Sequence, residues 1–399
     1  MKQPLSLAVP AIEGTGGAAI APWVRQLLFI GVAWLIGGMG IMPAGASYNP
    51  GKAYQYVLAL TLYLPTLVLL VMRPACARDL WRKPLVPWVM ALLAWSLIAL
   101  SWSHISHRGD EVARILSIAF FLVAWQQGVA LNVERIRVLL VGTGLLMAIV
   151  AIAAMVWCAF YPEVDGRLAA FGVMDNANLA VGAMGACLIW LWPWQMSDAR
   201  LRWAKRLAIG VLALFVLLSY TRSGWGALLA AFVAMALCRG GRKAWLSAGA
   251  AVLIAAIAVL AFLPALMERG LSMRPQIFEQ SWALFRQHPL FGLGQGSPFS
   301  FQVDGDVLTH AHNMFSQLAI ELGLVGFILW TGIWLALGWR AWRHRHETLG
   351  QIVVGLWVFG TILVQFDQSH LLDSPRPGWL ITWVPLALSL SLGRWNKPA

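Results

Sequence analysis

An arginine in a short turn between two apolar stretches is the first residue that indicates chemistry. The stretch SYTRSGWG, from Ser219 to Gly226, separates LAIGVLALFVLL from ALLAAFVAMALC. Arg222 either extends along the membrane surface, caps the preceding helix or binds an anion. Because the guanidinium presents its donors as a planar fork that matches phosphate, we favour the anion site.

A second arginine lies in the stretch MRPQIFEQSWALFRQHPLFGLGQG, from Met273 to Gly296. Pro275 suits the first turn of a helix, so the pattern predicts Arg274 as its N-cap and an amphipathic helix that ends near Gln287. The helix N-terminus and Arg274 together would suit a phosphate, although Arg274 in the alternative only anchors the helix to a lipid headgroup. We interpret GLGQG as a turn, since it is too short for a nucleotide fingerprint.

A histidine follows in DGDVLTHAHNMFSQLAIELGLVG, at the entry to the next apolar run. Histidine is the usual general base in enzymes, so His312 is a candidate general base, or else a helix-capping residue at the membrane surface. Asn313, Gln317 and Glu321 are candidate substrate-binding residues. Glu321 is alternatively a buried, hydrogen-bonded strut.

The DGD and HAH spacings also fit a divalent metal, but no third strong ligand occurs at a typical distance. We therefore predict no metal and no cofactor. In the stretch DGRLAAFGVMDNANLAVG, Arg167 is a candidate third arginine around the same anion. Asn176 and Asn178 are candidate ligands of sugar hydroxyls, or else Asp175 or Asn176 caps the helix that follows.

The elements that must position these residues are membrane helices. The 399 residues are 60% hydrophobic and 12% charged, with a mean hydropathy of +0.71. Apolar runs of about 18 or more residues predict an all-α polytopic membrane protein, and strand-like alternation is not seen.

We expect a single transmembrane domain over 24–393, with tails at 1–23 and 394–399 and one large outward loop at 266–309 carrying short helices. The predicted spans are 24–44, 54–72, 85–103, 113–131, 138–160, 174–195, 207–221, 224–238, 245–264, 313–337, 350–366 and 378–393.

The distribution of basic residues predicts the orientation. The termini and even-numbered loops hold 20 of the 29 Lys and Arg residues, and the odd-numbered loops hold the other nine. By the positive-inside rule the termini are cytoplasmic, and the three arginines and His312 face outward. The net charge of +12 reflects this topology and gives no reason to expect a nucleic-acid partner.

The motifs SYTRSGWGALLAA, HPLFGLGQG and HAHNMFSQLAIELGLVGF, in this order around a long outward loop, resemble those of bacterial O-antigen ligases and polymerases. The resemblance covers about residues 167–327. It implies a GT-C-like membrane glycosyltransferase at the periplasmic face of the inner membrane. Such enzymes transfer a glycan from undecaprenyl diphosphate to lipid A–core, without a metal. By position, Arg222 and Arg274 would bind the diphosphate and His312 would be the base. Many relatives carry serine directly before the first arginine, where this chain has Thr221.

Three alternatives remain at this point. The length and the single large loop favour a ligase over an O-antigen polymerase or a pilin-directed O-oligosaccharyltransferase. A transporter of the same lipid-linked glycan would need ionisable groups near the middle of the membrane, where Glu321 is the only clear candidate. A non-catalytic assembly partner is the third.

Overall fold

The chain folds into a bundle of apolar helices, described by a computed structural model for residues 20–41, 51–161, 167–261, 273–303, 305–366 and 370–393. Each of the twelve segments predicted as spans contains a helix. The helices in chain order are α1 Pro22–Gly37, α2 Lys52–Met72, α3 Ala75–Trp81, α4 Val86–Ala99, α5 Arg108–Val129, α6 Val133–Phe160, α7 Ala177–Leu191, α8 Ala199–Leu218, α9 Arg222–Arg239, α10 Gly241–Ala261, α11 Arg274–Gln287, α12 Met314–Arg343, α13 Thr348–Leu363 and α14 Gly378–Ser389.

Several of these helices can cross a membrane by length and composition. Among the described residues five do so: α1 with its extension to Ile41, α2, α5, α6 and α12. The apolar helices α4, α7, α13 and α14 are shorter. The chain therefore has the character of a polytopic membrane protein, while the count of twelve spans and the sidedness of the loop stay predictions.

The structure corrects two sequence-based expectations. The bundle is not purely helical, because β1 (Phe301–Val303) and β2 (Asp306–Leu308) pair as an antiparallel hairpin between α11 and α12. The loop helix α11 begins at Arg274, so its N-cap is Met273 and not Arg274. Of the predicted tails and loop, residues 1–19, 394–399, 262–272 and Asp304 lie outside the described residues.

Polar side chains fix where several helices begin. An N-cap side chain accepts hydrogen bonds from backbone N–H groups that have no partner within the helix. Asn132 does this for α6, Asn176 for α7, Asp198 for α8 and Asn313 for α12. The α7 and α12 caps bring Asn176 and Asn313, two predicted site residues, to helix starts.

Helix α12 packs against α4 on one side and α13 on another, and α13 packs against α9. Helices α9 and α13 run antiparallel, since Arg239 Nε donates to Gln351 Oε1 at 3.4 Å where α9 ends and α13 begins. The N–H of Met314 donates to the carbonyl of Val364 at 2.8 Å, which joins the start of α12 to the end of α13. The starts of α7, α9 and α12 and the end of α13 thus share one end of the bundle, here called the site end.

Helix α12 is interrupted at Gly323, whose φ is 65° and ψ −164°. The segment His288–Gly296, here called the glycine loop, satisfies the backbone groups that the break releases. Leu293 and Gly294 donate to the carbonyls of Ile320 and Glu321 at 2.8 and 2.9 Å, and Leu324 donates to the carbonyl of Pro289 at 2.8 Å. Such pairing is required wherever a helix breaks within an apolar environment.

The break requires glycine, so Gly323→Ala should destabilise the protein. A Cβ at this position would lie 2.3 Å from the carbonyl oxygen of Leu290, in a backbone conformation that L-residues avoid. We expect the free energy of unfolding to fall by about 1–3 kcal/mol or more. Thermal unfolding of purified protein in detergent measures it.

The matched control is Gly332→Ala in the same helix, where a Cβ would meet nothing within 4 Å. This change should leave stability unchanged or slightly raise it. Equal unfolding temperatures for the two variants would contradict the proposed role of Gly323.

Candidate active site

Arg167 links two helix starts at the site end. Its Nη2 donates to Asn178 Oδ1 in the first turn of α7 at 2.9 Å, and to Thr221 Oγ1 at the start of α9 at 3.0 Å. Asn176 accepts from the N–H of Asn178 at 2.8 Å as the cap of α7. The side-chain oxygens of both asparagines are therefore engaged within the protein. The alternative in which Asn176 caps the helix is confirmed.

The turn that carries Arg222 is only three residues long, Ser219–Thr221. Ser219 Oγ donates to the carbonyl of Val216 at 2.7 Å and accepts from the N–H of Thr221 at 3.3 Å. Tyr220 closes the turn with a φ of 50°, in the left-handed region that non-glycine residues rarely adopt. Arg222 is then the first residue of α9 and is exposed, so its guanidinium and the positive end of the helix dipole lie together.

Arg274 approaches the end of α13. Its guanidinium lies over the ring of Phe366, with Cζ 4.9 Å from the ring centroid. The aromatic face orients the guanidinium at the end of α13. Ile277, one turn later, packs with Phe301 and Ile320, which fixes α11 against the hairpin and α12.

His312 occupies a strained position directly before α12. Its φ is 48°, again in the left-handed region. Its ring stacks on that of His310 with centroids 4.0 Å apart. Asn313, which follows it, accepts from the N–H groups of Phe315 and Ser316 at 2.9 and 3.1 Å. Asn313, not His312, is thus the helix cap, and backbone strain at a well-supported residue is typical of functional sites.

Hydrogen bonds through two buried side chains, Gln317 and Glu321, hold the backbone next to His312. Gln317 Oε1 accepts from the N–H of Ala311 at 2.9 Å, and Gln317 Nε2 donates to Glu321 Oε1 at 2.6 Å. Both side chains are buried, Glu321 at 7% exposure. The interpretation of Glu321 as a buried, hydrogen-bonded strut agrees with this geometry.

All nine predicted site residues therefore lie at the site end. The structure forms two groups from them. Arg167, Asn176 and Asn178 surround the start of α9 at Arg222, whereas His312, Asn313, Gln317 and Glu321 occupy the start of α12. Arg274 lies over the ring of Phe366. Phe366 follows Val364 by two residues, and the carbonyl of Val364 accepts from the N–H of Met314 at the start of α12, so Arg274 lies near the second group.

Sequence reasoning missed a charged network next to this site. Glu111 pairs with Arg114, and Arg376 Nη2 lies 2.7 Å from Asp373 Oδ2. Arg114 Nε lies 3.7 Å from Asp373 Oδ1, so the two pairs connect. Each acid lies three residues before its arginine, Glu111 before Arg114 and Asp373 before Arg376, and this spacing is visible in the sequence. The contact between α5 and the last loop is not visible there.

The missed network extends to the glycine loop and to a third histidine. Gln295 Nε2 donates to Glu111 Oε2 at 3.1 Å. The ring of His370 lies 6.0 Å from that of His310. Desolvation lowers the pKa of His370, which Asp373 opposes.

An apolar groove of about 530 Å³ begins beside the turn at Ser219–Thr221 and extends toward Arg239. Helices α8 and α9 form its walls, and Leu188 and Trp192 of α7 close it. At the site end, Trp225 in the groove wall donates through Nε1 to the carbonyl of Val216 at 2.9 Å. The groove therefore ends within one helical turn of Arg222.

In the part of the chain that the structure describes, no group of three or more His, Cys, Asp or Glu side chains is arranged to hold a metal ion. The first acid of the DGD stretch, Asp304, is outside that part.

Two comparisons with known proteins agree with this geometry. Residues 207–331, which include Arg222, Arg274 and His312, match the family model described as O-Antigen ligase. An O-antigen ligase of Pseudomonas aeruginosa is 26% identical over 348 residues, which cover 85% of this chain and 85% of that protein. The resemblance to O-antigen ligases predicted from the motifs is confirmed.

The side chain of Gln317 should be essential for the local structure around His312. In Gln317→Leu the Ala311 N–H and the Glu321 carboxylate lose their shared partner in a buried position, which costs about 1–3 kcal/mol. We expect thermal unfolding in detergent to show a destabilisation of this size.

Gln365→Leu is the matched control, because the Gln365 side chain is exposed at the same end of the bundle and donates to the carbonyl of Thr361 at 2.7 Å. It should change stability by less than about 0.5 kcal/mol. A Gln317→Leu protein as stable as this control would contradict the supporting role.

Proposed function

We propose that this protein is a membrane glycosyltransferase that transfers an O-antigen glycan from undecaprenyl diphosphate to a sugar hydroxyl of lipid A–core. The observation that carries the proposal is the convergence of Arg167, Arg222, Arg274 and His312 at one end of the bundle, where an apolar groove also ends. A lipid-linked diphosphate needs cations and an apolar channel at adjacent positions. The similarity to O-antigen ligases supports the same reaction.

The arginines would bind the diphosphate of the donor. Arg222 lies at the positive end of α9, and Arg167 bonds to the residue before it. Arg274 is oriented by Phe366. Guanidinium groups neutralise the charge that grows on the leaving diphosphate as the glycosidic bond breaks, a role that in other enzymes a divalent metal takes. We therefore propose a metal-independent reaction.

The apolar groove would hold the polyprenyl chain of the donor. Its walls are Ile209, Val216, Leu217, Leu228 and Phe232, all apolar side chains. Since the groove ends beside Trp225 and Arg222, an isoprenoid chain in it would bring its diphosphate to the arginines. Binding energy from this remote part of the substrate would position the reacting bond.

His312 would act as the general base. Its imidazole accepts the proton of the acceptor hydroxyl while that oxygen attacks the anomeric carbon and the bond to the diphosphate oxygen breaks. Gln317, Glu321 and Asn313 would position His312 through the hydrogen bonds described above. Asn178 would position Arg167 through the hydrogen bond between their side chains, and Asn176 would hold Asn178 through its backbone N–H. We also propose that the two asparagines contact sugar hydroxyls of the substrate.

The location follows from the topology. With both termini cytoplasmic, the site end faces the periplasm at the inner membrane, where lipid-linked O-antigen and lipid A–core meet. This places membrane lipids around the bundle and the two glycolipid substrates at the site end.

Reconstitution tests the proposed activity. Purified protein is mixed with undecaprenyl-diphosphate oligosaccharide and lipid A–core in EDTA, and the products are separated on a gel. We expect lipid A–core to increase in size. If the carrier-linked glycan lengthens by itself and lipid A–core does not change, the protein is a polymerase and the proposed acceptor is wrong.

Substitution of the base tests its role. His312→Asn should reduce kcat by roughly 100- to 10,000-fold, because a general base contributes about that much. Asparagine tolerates the left-handed backbone of residue 312, so the loss reports on the imidazole. His346→Ala, an exposed histidine just after α12 and far from the site end, should retain activity.

Substitution of an arginine tests anion binding. Arg274→Ala should reduce kcat by roughly 100- to 1,000-fold through lost stabilisation of the leaving diphosphate. Arg286→Ala in the same helix α11 is the control and should have little effect, since Arg286 is exposed and lies over Trp282. Equal activities of the two variants would rule out the diphosphate role of Arg274.

Attack on the side opposite the diphosphate should invert the anomeric configuration. NMR of the purified product, compared with the donor, measures it directly. Retention of the anomeric configuration would require a covalent intermediate, and His312 would then not act as the general base of a single displacement.

A further inference from the structure

A second cavity, of about 650 Å³, shares no lining residue with the groove. The residues that line it are Trp95, Trp102, His288, Pro289, Leu290, Phe291 and Gly292. We call it the aromatic pocket. It is formed by the site-end part of α4, the residues just after α4 and the start of the glycine loop. None of its residues has a role in the donor site described above.

The aromatic rings of the pocket are held in place. The rings of Trp95, Trp102 and Phe291 contact one another with centroids 5.7 to 6.2 Å apart. Trp95 Nε1 also donates to the carbonyl of Leu322 at 3.1 Å, at the break in α12. Phe291 nevertheless remains 56% exposed. A rigid, exposed aromatic surface is suited to the apolar faces of sugar rings and to acyl chains.

Basic and imidazole side chains outnumber acids around this surface. His288 lines the pocket, and Arg108 Nη2 donates to the carbonyl of Ser103, next to Trp102. Residues 101–110 and 288–292 contain one acid, Asp110, against Arg108 and the imidazoles of His104, His107 and His288. All four are exposed. Anionic groups, phosphates in particular, would be attracted to this rim.

The position of the pocket relative to the groove is informative. In the packing order α4, α12, α13, α9, the helices α12 and α13 lie between the aromatic pocket at α4 and the groove at α9. His312 lies directly before the start of α12. Leu322, whose carbonyl accepts from Trp95, is eight residues beyond Met314, which is roughly 12 Å along the helix axis. A molecule in the pocket would therefore approach His312 along α12 and not through the groove.

We propose that the aromatic pocket docks the acylated, phosphorylated end of the glycolipid acceptor. The inference rests on the proposed function, since it assigns a binding site to the second substrate of that reaction. The aromatic rings contact the acyl-bearing sugars, and Arg108 and His288 contact their phosphates. The outer sugars of the acceptor then extend along α12 to His312.

Steady-state kinetics of the full chain in lipid nanodiscs tests this assignment. Trp102→Ala and Phe291→Ala should raise the KM for lipid A–core roughly tenfold and leave the donor KM and kcat unchanged. With a core oligosaccharide that lacks acyl chains, both variants should match the wild type. Trp88→Ala in the same helix α4 and Phe160→Ala in α6, which are 62% and 75% exposed, are the controls and should not change either KM.

A crosslinking measurement gives a result that does not depend on turnover. A photoreactive phenylalanine at position 291 should capture lipid A–core in preference to phosphatidylglycerol, and Arg108→Gln should weaken this preference. Equal capture of the two lipids would mean that the pocket holds only bulk lipid, and a change in donor KM would assign it to the donor; either result overturns the proposal. If the wild type forms no product, the proposed function fails, and the crosslink still decides whether the pocket selects the glycolipid.

Discussion

The need to pair every backbone polar group in an apolar environment governs the site end of this protein. Helix α12 breaks at Gly323, and the glycine loop supplies the missing partners. This single requirement brings the loop after α11 into contact with α12 and α4. It thereby fixes the support beneath His312, the orientation of Trp95 and the position of Gln295 next to Glu111. The chemistry of the site depends on a backbone constraint several residues away from any candidate catalytic group.

Charge is distributed unequally around this framework. Glu111, Asp373, Arg114 and Arg376 neutralise one another in a connected network, which stabilises the contact of α5 with the last loop. Arg222 instead lies at the positive end of a helix, and Arg274 lies against an aromatic ring. The ion pairs of Arg114 and Arg376 hold α5 and the last loop together, and in the proposed function Arg222 and Arg274 add positive potential where the anionic substrate binds.

Much of this arrangement could be predicted from the sequence, because local patterns determine it. Apolar runs located the helices, and the spacing around Pro275 located α11 to within one residue. The asparagine before α7 and the positions of Arg222 and His312 at helix starts were also predictable. The hairpin was not, since three-residue strands carry too little periodicity. The break at Gly323, the partners of the glycine loop and the Glu111–Asp373 network depend on contacts between residues far apart in the chain, which one sequence does not reveal.

The three-residue turn between α8 and α9 has a mechanical consequence for the groove between them. Ser219 Oγ and Trp225 Nε1 both donate to the carbonyl of Val216, and the N–H of Thr221 donates to Ser219 Oγ, so the end of α8 and the start of α9 are joined where the groove meets the arginines. These bonds hold the two walls at a fixed spacing at this end. With a long flexible tail between the walls, this spacing would limit how far a bulky head group can advance.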